Sequence, residues 1–291
     1  MDFRFETHDS LPSSNTVVKH AIEAGEPEGL VVHTFQQTAG YGRLGRSWVS
    51  PFGGLYFSVL LRPQVALAQL PTLGIVTALA QHRAIAAVLP SSVRSCLQLK
   101  WPNDVVWEAG ACEAGTQGVD GTRDAGAQAE GAALFAKVSG TSLERHAGGT
   151  CVGIGVNVFQ PFGAPEVTGK NRPVYLARFL EERLQAAGVS VQVAEGGPTG
   201  QQRAIVVRLR DEILAQFQQL YDLWQHDGPE PLLDEYTSHL ALAGRQVSVV
   251  DQLEQQTFTG VVEGVDAQGR LLLRTGVGSV QAVSAGEVRL R

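Results

Sequence analysis

The apolar positions change period along the chain. At Leu30-Val31-Val32-His33-Thr34-Phe35 and Leu55-Tyr56-Phe57-Ser58-Val59-Leu60-Leu61 they form short continuous runs. Runs of this length, with Pro63 ending the second, predict buried strands. Leu97, Leu99 and Trp101 alternate with Gln98 and Lys100, as on a half-buried strand, and Pro102-Asn103-Asp104 predicts a turn after them. Val152, Ile154, Val156 and Val158 alternate with Gly153, Gly155 and Asn157. One face of that strand is core. The other is nearly bare backbone, which predicts a ligand or another chain lying close.

Helical periods separate these strands. Val17, Val18, Ala21 and Ile22 share one side of a predicted helix over residues 16–24, with Ser13, Ser14 and Asn15 as N-cap candidates. A second helix is predicted over 71–89, starting at Pro71. Val206, Leu209, Ile213, Phe217, Leu220 and Trp224 recur at three or four residues and mark one buried helix face. Residues 109–133 carry Gly, Ala and scattered acids without a period and predict a flexible insertion. Beyond about residue 240, short β-prone runs (246–250, 257–262, 270–274 and 279–283) surround turn residues such as Asp266-Ala267-Gln268-Gly269, predicting a small C-terminal β-barrel.

Charge changes the picture in one place. The net charge is a mild −6, yet no Asp or Glu stands between Gly29 and Asn103. Arg43, Arg46, Arg62, Arg83, Arg94 and Lys100 lie in that stretch. A segment with positive charges alone suggests a site for an anion. No apolar run approaches the roughly 20 residues of a membrane span, and the start shows no basic region followed by an apolar one. Three widely spaced cysteines form no CxxC pair, which points to a cytoplasmic setting. The seven histidines show no HxxxH or HExxH spacing, so no protein-built transition-metal site is expected.

Gly40-Tyr41-Gly42-Arg43-Leu44-Gly45 fits G-x-G-x-x-G. A dinucleotide fingerprint needs a helix opening at the loop and an acid about 20 residues on. Here Ser47-Trp48-Val49-Ser50-Pro51-Phe52-Gly53-Gly54 follows, and the next acid is Asp104. The dinucleotide reading therefore fails. What remains is a glycine loop carrying Arg43 and Arg46, able to bring backbone and planar charged forks close to a phosphate or carboxylate.

These residues resemble a known family. Gln37-Thr38-Ala39-Gly40-Tyr41-Gly42-Arg43-Leu44-Gly45-Arg46-Ser47-Trp48 is similar to the adenylate-binding loop of biotin protein ligases. Lys100-Trp101-Pro102-Asn103-Asp104 and Gly153-Ile154-Gly155-Val156-Asn157-Val158 are similar to that family's second and third motifs, and Ser13-Ser14-Asn15 to its S-T-N element. The four occur in the family's order. The resemblance implies an α+β fold: a mixed-sheet catalytic domain over residues 1–238, interrupted at 109–133, and an SH3-like β-barrel over 239–291.

It also implies a carbon–nitrogen ligase that activates biotin with ATP and Mg2+ as biotinyl-AMP, then biotinylates a lysine of the biotin carboxyl carrier protein of acetyl-CoA carboxylase. By resemblance, Ser13, Ser14, Asn15, Gln37, Gly40, Tyr41, Gly42, Arg43 and Lys137 meet biotin, and Arg43, Arg46, Trp48, Asn103 and Asn157 meet the nucleotide. Arg43, Asp104 and Lys137 form the implied catalytic set, with Mg2+ near Asp104. The assignment of Lys137, in Lys137-Val138-Ser139-Gly140, requires the insertion to join paired strands. Tyr41 and Leu44 stand where the family often has basic residues. The motifs begin by Ser13, so no DNA-reading domain is expected. A monomer and a homodimer both remain open. A lipoate or octanoate ligase or transferase is the nearest rival; a non-catalytic biotin or nucleotide sensor is another.

Overall fold

A computed structural model describes residues 1–108, 111, 135–164, 172–251, 256–276 and 278–290. In chain order the elements are β1 (Arg4–His8), α1 (Ser14–Glu23), β2 (Leu30–Thr34), β3 (Leu55–Leu61), α2 (Leu73–Val88), β4 (Leu97–Lys100), β5 (Asp104–Trp107), β6 (Ala136–His146) and β7 (Gly149–Val156). Then follow α3 (Glu181–Ala186), α4 (Gly200–Asp227), α5 (Glu230–Ser238) and the C-terminal strands β8 (Gln246–Asp251), β9 (Gln256–Val265), β10 (Leu271–Arg274), β11 (Val280–Val283) and β12 (Glu287–Leu290).

Seven strands form one mixed sheet in the order β1-β2-β3-β7-β6-β5-β4. β1 runs parallel to β2; the other neighbours are antiparallel. The sheet's two faces carry different loads. Leu55, Phe57, Val59 and Leu61 of β3 and Val152, Ile154 and Val156 of β7 join the large core beneath α2 and α4. Val32, Leu60 and Cys151 face the other way and meet Val18 and Ile22 of α1 in a small second core. Two-residue alternation produces this division. α4 buries the predicted stripe, and Thr199 starts it with a capping box to Gln202.

Several expectations shift. Pro71 lies inside a 3-10 turn, Leu67–Thr72, and α2 opens only at Leu73. β1 has no foreseeable alternation, because four of its five residues are exposed. The C-terminal strands pair in the order β11-β10-β9-β8-β12, and no ladder joins β11 to β12 among the described residues. This unit is a separate five-stranded antiparallel sheet, as the expected C-terminal β domain requires, with Val247, Val249, Val262, Leu271, Leu273 and Val283 buried. Its junction with the larger sheet is specific: Leu99 donates to the His239 carbonyl and Ala241 to the Leu99 carbonyl, both at 2.8 Å. The insertion predicted at 109–133 falls outside the described residues, apart from Ala111.

Candidate active site

The candidate site lies on the α1 side of the sheet. Ser13 occupies the N-cap position of α1, but its side chain makes no cap bond. Gln37 caps instead: its Oε1 accepts from the Ser14 backbone N–H at 2.9 Å and from Ser14 Oγ at 3.1 Å. An amide from another segment thus satisfies an N–H that the helix leaves open. Gln37 Nε2 donates to Ser50 Oγ at 2.9 Å, fixing the far side of the glycine loop. Asn15 turns toward the sheet. Its Nδ2 donates to Ser142 Oγ (3.0 Å) and Glu144 Oε1 (3.1 Å), and its Oδ1 accepts from Ser58 Oγ (2.6 Å). A Cβ on Gly153 would fall 2.2 Å from Asn15 Oδ1, so only glycine fits beneath it.

Residues 40–48 form a short hairpin. Trp48 N–H donates to the Gly40 carbonyl, Gly42 N–H to the Arg46 carbonyl, and Arg43–Gly45 make a 3-10 turn at the tip. A Cβ on Gly40 would sit 2.6 Å from Ser50 Oγ and from the Trp48 carbonyl oxygen. The hairpin folds back on the sheet through Trp48. Its indole covers Gly155 and Gly140, where an added Cβ would come within 2.8 and 3.1 Å of the ring. The bare strand face predicted from the Gly-x-Gly alternation is therefore covered from within the chain, by Trp48 and Asn15.

Charged groups converge beside Trp48. Lys137 Nζ lies 2.7 Å from Asp104 Oδ1 and 4.8 Å from the Trp48 ring centroid. β5 and β6 pair antiparallel, so the chain between Trp107 and Ala136 connects paired strands, as the Lys137 assignment requires. Arg43 Nη1 donates to Asn103 Oδ1 at 3.1 Å, tying the hairpin tip to the Pro102–Asp104 turn. Desolvation lowers the Arg43 pKa, Asp104 opposes that and Arg46 reinforces it; a guanidinium stays charged regardless. Asn103 Nδ2 also holds the Thr141 carbonyl at 2.8 Å. Asn157 donates its side-chain amide to the Lys137 carbonyl (2.9 Å), so it supports the backbone carrying Lys137. Arg46 is exposed, away from this cluster's hydrogen bonds.

A cleft of about 310 Å3 is lined by Tyr41, Gly42, Arg43, Gly45, Ser142, Leu143 and Glu144. Trp48 Nε1 is buried with no hydrogen-bond partner among the described residues. An unpaired buried donor is costly, and a bound ligand would satisfy it. Sequence reasoning missed Lys19, Ser58, Ser142 and Glu144. Lys19 Nζ lies 2.8 Å from Glu144 Oε2 and 5.1 Å from the Tyr41 ring centroid. Desolvation opposes its charge, but Glu144 and Tyr41 outweigh that and raise its pKa. Lys19 stands one helical turn beyond Asn15, and that i, i+4 spacing was the available signal.

Two family models match the chain. One is described as the biotin/lipoate A/B protein ligase family and covers residues 8–158. The other is described as the biotin protein ligase C terminal domain and covers residues 243–291. A relative named biotin--[acetyl-CoA-carboxylase] ligase, from Paracoccus denitrificans, is 28% identical over 262 residues, 87% of each chain. The bifunctional ligase/repressor BirA of Bacillus subtilis is 27% identical over 282 residues, 96% of this chain and 71% of the relative. The structure of biotin protein ligase from Aquifex aeolicus in complex with biotin and ATP superposes with a TM-score of 0.70 at 23% identity, covering 99% and 98% of the two chains. That likeness shows the shared fold.

Proposed function

This chain belongs to the biotin/lipoate A/B protein ligase family, and we propose that it is an ATP-dependent biotin protein ligase. A biotin carboxylate oxygen attacks the α-phosphorus of ATP, pyrophosphate leaves, and biotinyl-AMP forms. The amine of a carrier-domain lysine then attacks the acyl carbon, forming an amide and releasing AMP. One observation carries the reading. The hairpin and β6 line one cleft, and segments distant in sequence are tied to its walls: the Pro102–Asp104 turn through Arg43, the start of α1 through Ser142, and Lys137 beside them on Asp104 and Trp48.

The first step gathers negative charge, so fixed positive groups facing it lower the barrier. Arg43 and Lys137 are the groups in place. Arg43 leads from the hairpin tip, and Lys137 is oriented by Asp104 and Trp48. Ser14, Asn15 and Gln37, with Gly40, Tyr41 and Gly42, form the biotin end; Trp48, Asn103 and Arg46 serve the nucleotide end. Asn157 acts on the backbone of Lys137. Asp104 supplies a single carboxylate whose Oδ1 is engaged by Lys137. It fits a magnesium ion only as an added ligand to one carried by the phosphates. Such an ion would neutralise phosphate charge.

The partner we assign is a biotin carboxyl carrier domain in the cytoplasm. No helix among the described residues is long and apolar enough to cross a membrane. We assign residues 1–238 to catalysis and 239–291 to the C-terminal domain. The test is pyrophosphate release with MgATP and either biotin or lipoate, followed by transfer to a carrier domain. Biotin-dependent release and carrier labelling are expected. Labelling by lipoate alone would replace biotin as substrate, and ligand binding without pyrophosphate would make the protein a sensor.

A further inference from the structure

β6 contains an irregularity that decides where Lys137 points. Opposite β5, Ser139 pairs with Val105, but Lys137 pairs with Val106, so Val138 is an extra residue. Adjacent residues of β5 point to opposite faces of the sheet. Lys137 and Ser139 therefore do so too, although they are two apart. Lys137 reaches Asp104 and Trp48 on the α1 side. Ser139 reaches the α2 side. Without the extra residue, Lys137 would share the face of Ser139 and Thr141 and lie under α2. Bulges re-aim side chains in this way, and a one-residue slip reverses every side chain.

The α2 side holds an unusual group to fix that register. Gln81 is fully buried in a helix packed into the apolar core. Its Nε2 donates to Thr141 Oγ1 at 2.7 Å and to the Thr77 carbonyl at 2.9 Å. Its Oε1 accepts from Ser139 Oγ, which also lies 2.9 Å from the Gly155 carbonyl oxygen. One amide thus holds the two back-facing polar residues that immediately follow the bulge. Slipping β6 by one residue would leave Gln81 unpaired in an apolar core, and an unpaired buried amide is expensive.

We propose that Gln81 is a positioning residue for ligation: by pinning Ser139 and Thr141 to α2, it holds the β6 bulge and so keeps the Lys137 amine on the α1 side against Asp104 and Trp48. This rests on the proposed role of Lys137. Gln81→Met preserves volume and removes the pins. Adenylate formation is expected to slow roughly tenfold to a hundredfold, as for a misplaced catalytic group. Ser139→Ala, which removes one pin, should act in the same direction and more weakly. Ile85→Val, which trims a buried α2 residue outside the network, should lower stability and leave the rate unchanged.

Two readouts separate positioning from mere support. In a Lys137→Ala background, Gln81→Met should add less than about twofold, since residues acting through one group are not additive. Independently of any biotin chemistry, acetylation of Lys137, normalised to Lys19 and read by mass spectrometry, should fall several-fold in Gln81→Met. Full additivity with unchanged labelling would overturn the proposal. If the wild type releases no pyrophosphate, the ligase reading fails, and the labelling result alone decides whether Gln81 places Lys137.

Discussion

The two faces of the seven-stranded sheet use the same strands for opposite ends. On the α2 and α4 face, Phe57, Val59, Val152 and Ile154 are sealed into one core, and the histidines there are held neutral. On the α1 face, Lys19 pairs with Glu144 and Lys137 with Asp104 at a partly open surface beside the cleft, set on glycines that leave room for Trp48 and Asn15. Burial decides the difference: a charge without a partner cannot be hidden, whereas a charge with a partner at a cleft edge can be kept. The lesson is that face, more than strand, separates stability from chemistry here, with Gln81 as the point where the buried face acts on the other.

The sharpest way to break the comparison is to damage each face alone. Leu79→Ala on α2 removes a fully buried side chain. It is expected to cost about 2–5 kcal/mol of stability while leaving the KM for biotin near wild type, as checked by urea unfolding and pyrophosphate kinetics. A large KM change would mean that the faces are not separable.

Acid should act on the helix-backed face next. Burial, followed by the Arg210 charge, pushes His33 down to about 4. Burial, followed by His239, does the same to His82. Unfolded, both would titrate near 6.5. Between those values the unfolded chain binds protons that the fold refuses. Stability is therefore complete above pH 6.5 and is lost as the pH falls toward 4, by up to roughly 3 kcal/mol for each group. Urea midpoints across that window should show the slope, and His82→Gln should flatten it. An equal slope in the variant would remove His82 from the account.

The smallest effect is expected on the cleft face. Arg43→Gly removes a charge-assisted contact, and bound biotinyl-AMP should dissociate about tenfold faster, with thermal stability little changed. A chase with unlabelled biotin measures it; wild-type retention would show that Arg43 does not hold the adenylate.

Much of this was legible in the sequence for a physical reason. β3 is legible to the residue because a run apolar at every position but Ser58, stopped by Arg62 and Pro63, leaves little choice. The third motif was read as core on one side and bare on the other, and the structure shows why: Gly153 and Gly155 lie under Asn15 and Trp48. What stayed hidden depends on pairing between distant segments. β1 is a mostly exposed edge strand, stabilised by a parallel partner whose first paired residue is Leu30. Ser142 and Glu144 could not be assigned to the cleft without knowing the face of β6, and Lys137 and Ser139 show that simple alternation would have given the wrong answer. Gln81, a polar residue inside an apolar helix, acquires its role only from Ser139 and Thr141, which the fold brings against it.

The indole N–H of Trp101 donates at 2.9 Å to the Gly269 carbonyl of the C-terminal sheet. Trp101 opens the turn that carries Asn103 and Asp104, so the second motif spans a seam between the two sheets. Thermodynamic linkage is reciprocal. Any free energy by which a ligand at the turn strengthens this bond is returned as the same gain in ligand affinity when the bond is kept. The small sheet thus touches the motif through one hydrogen bond although it supplies none of the cleft's lining residues.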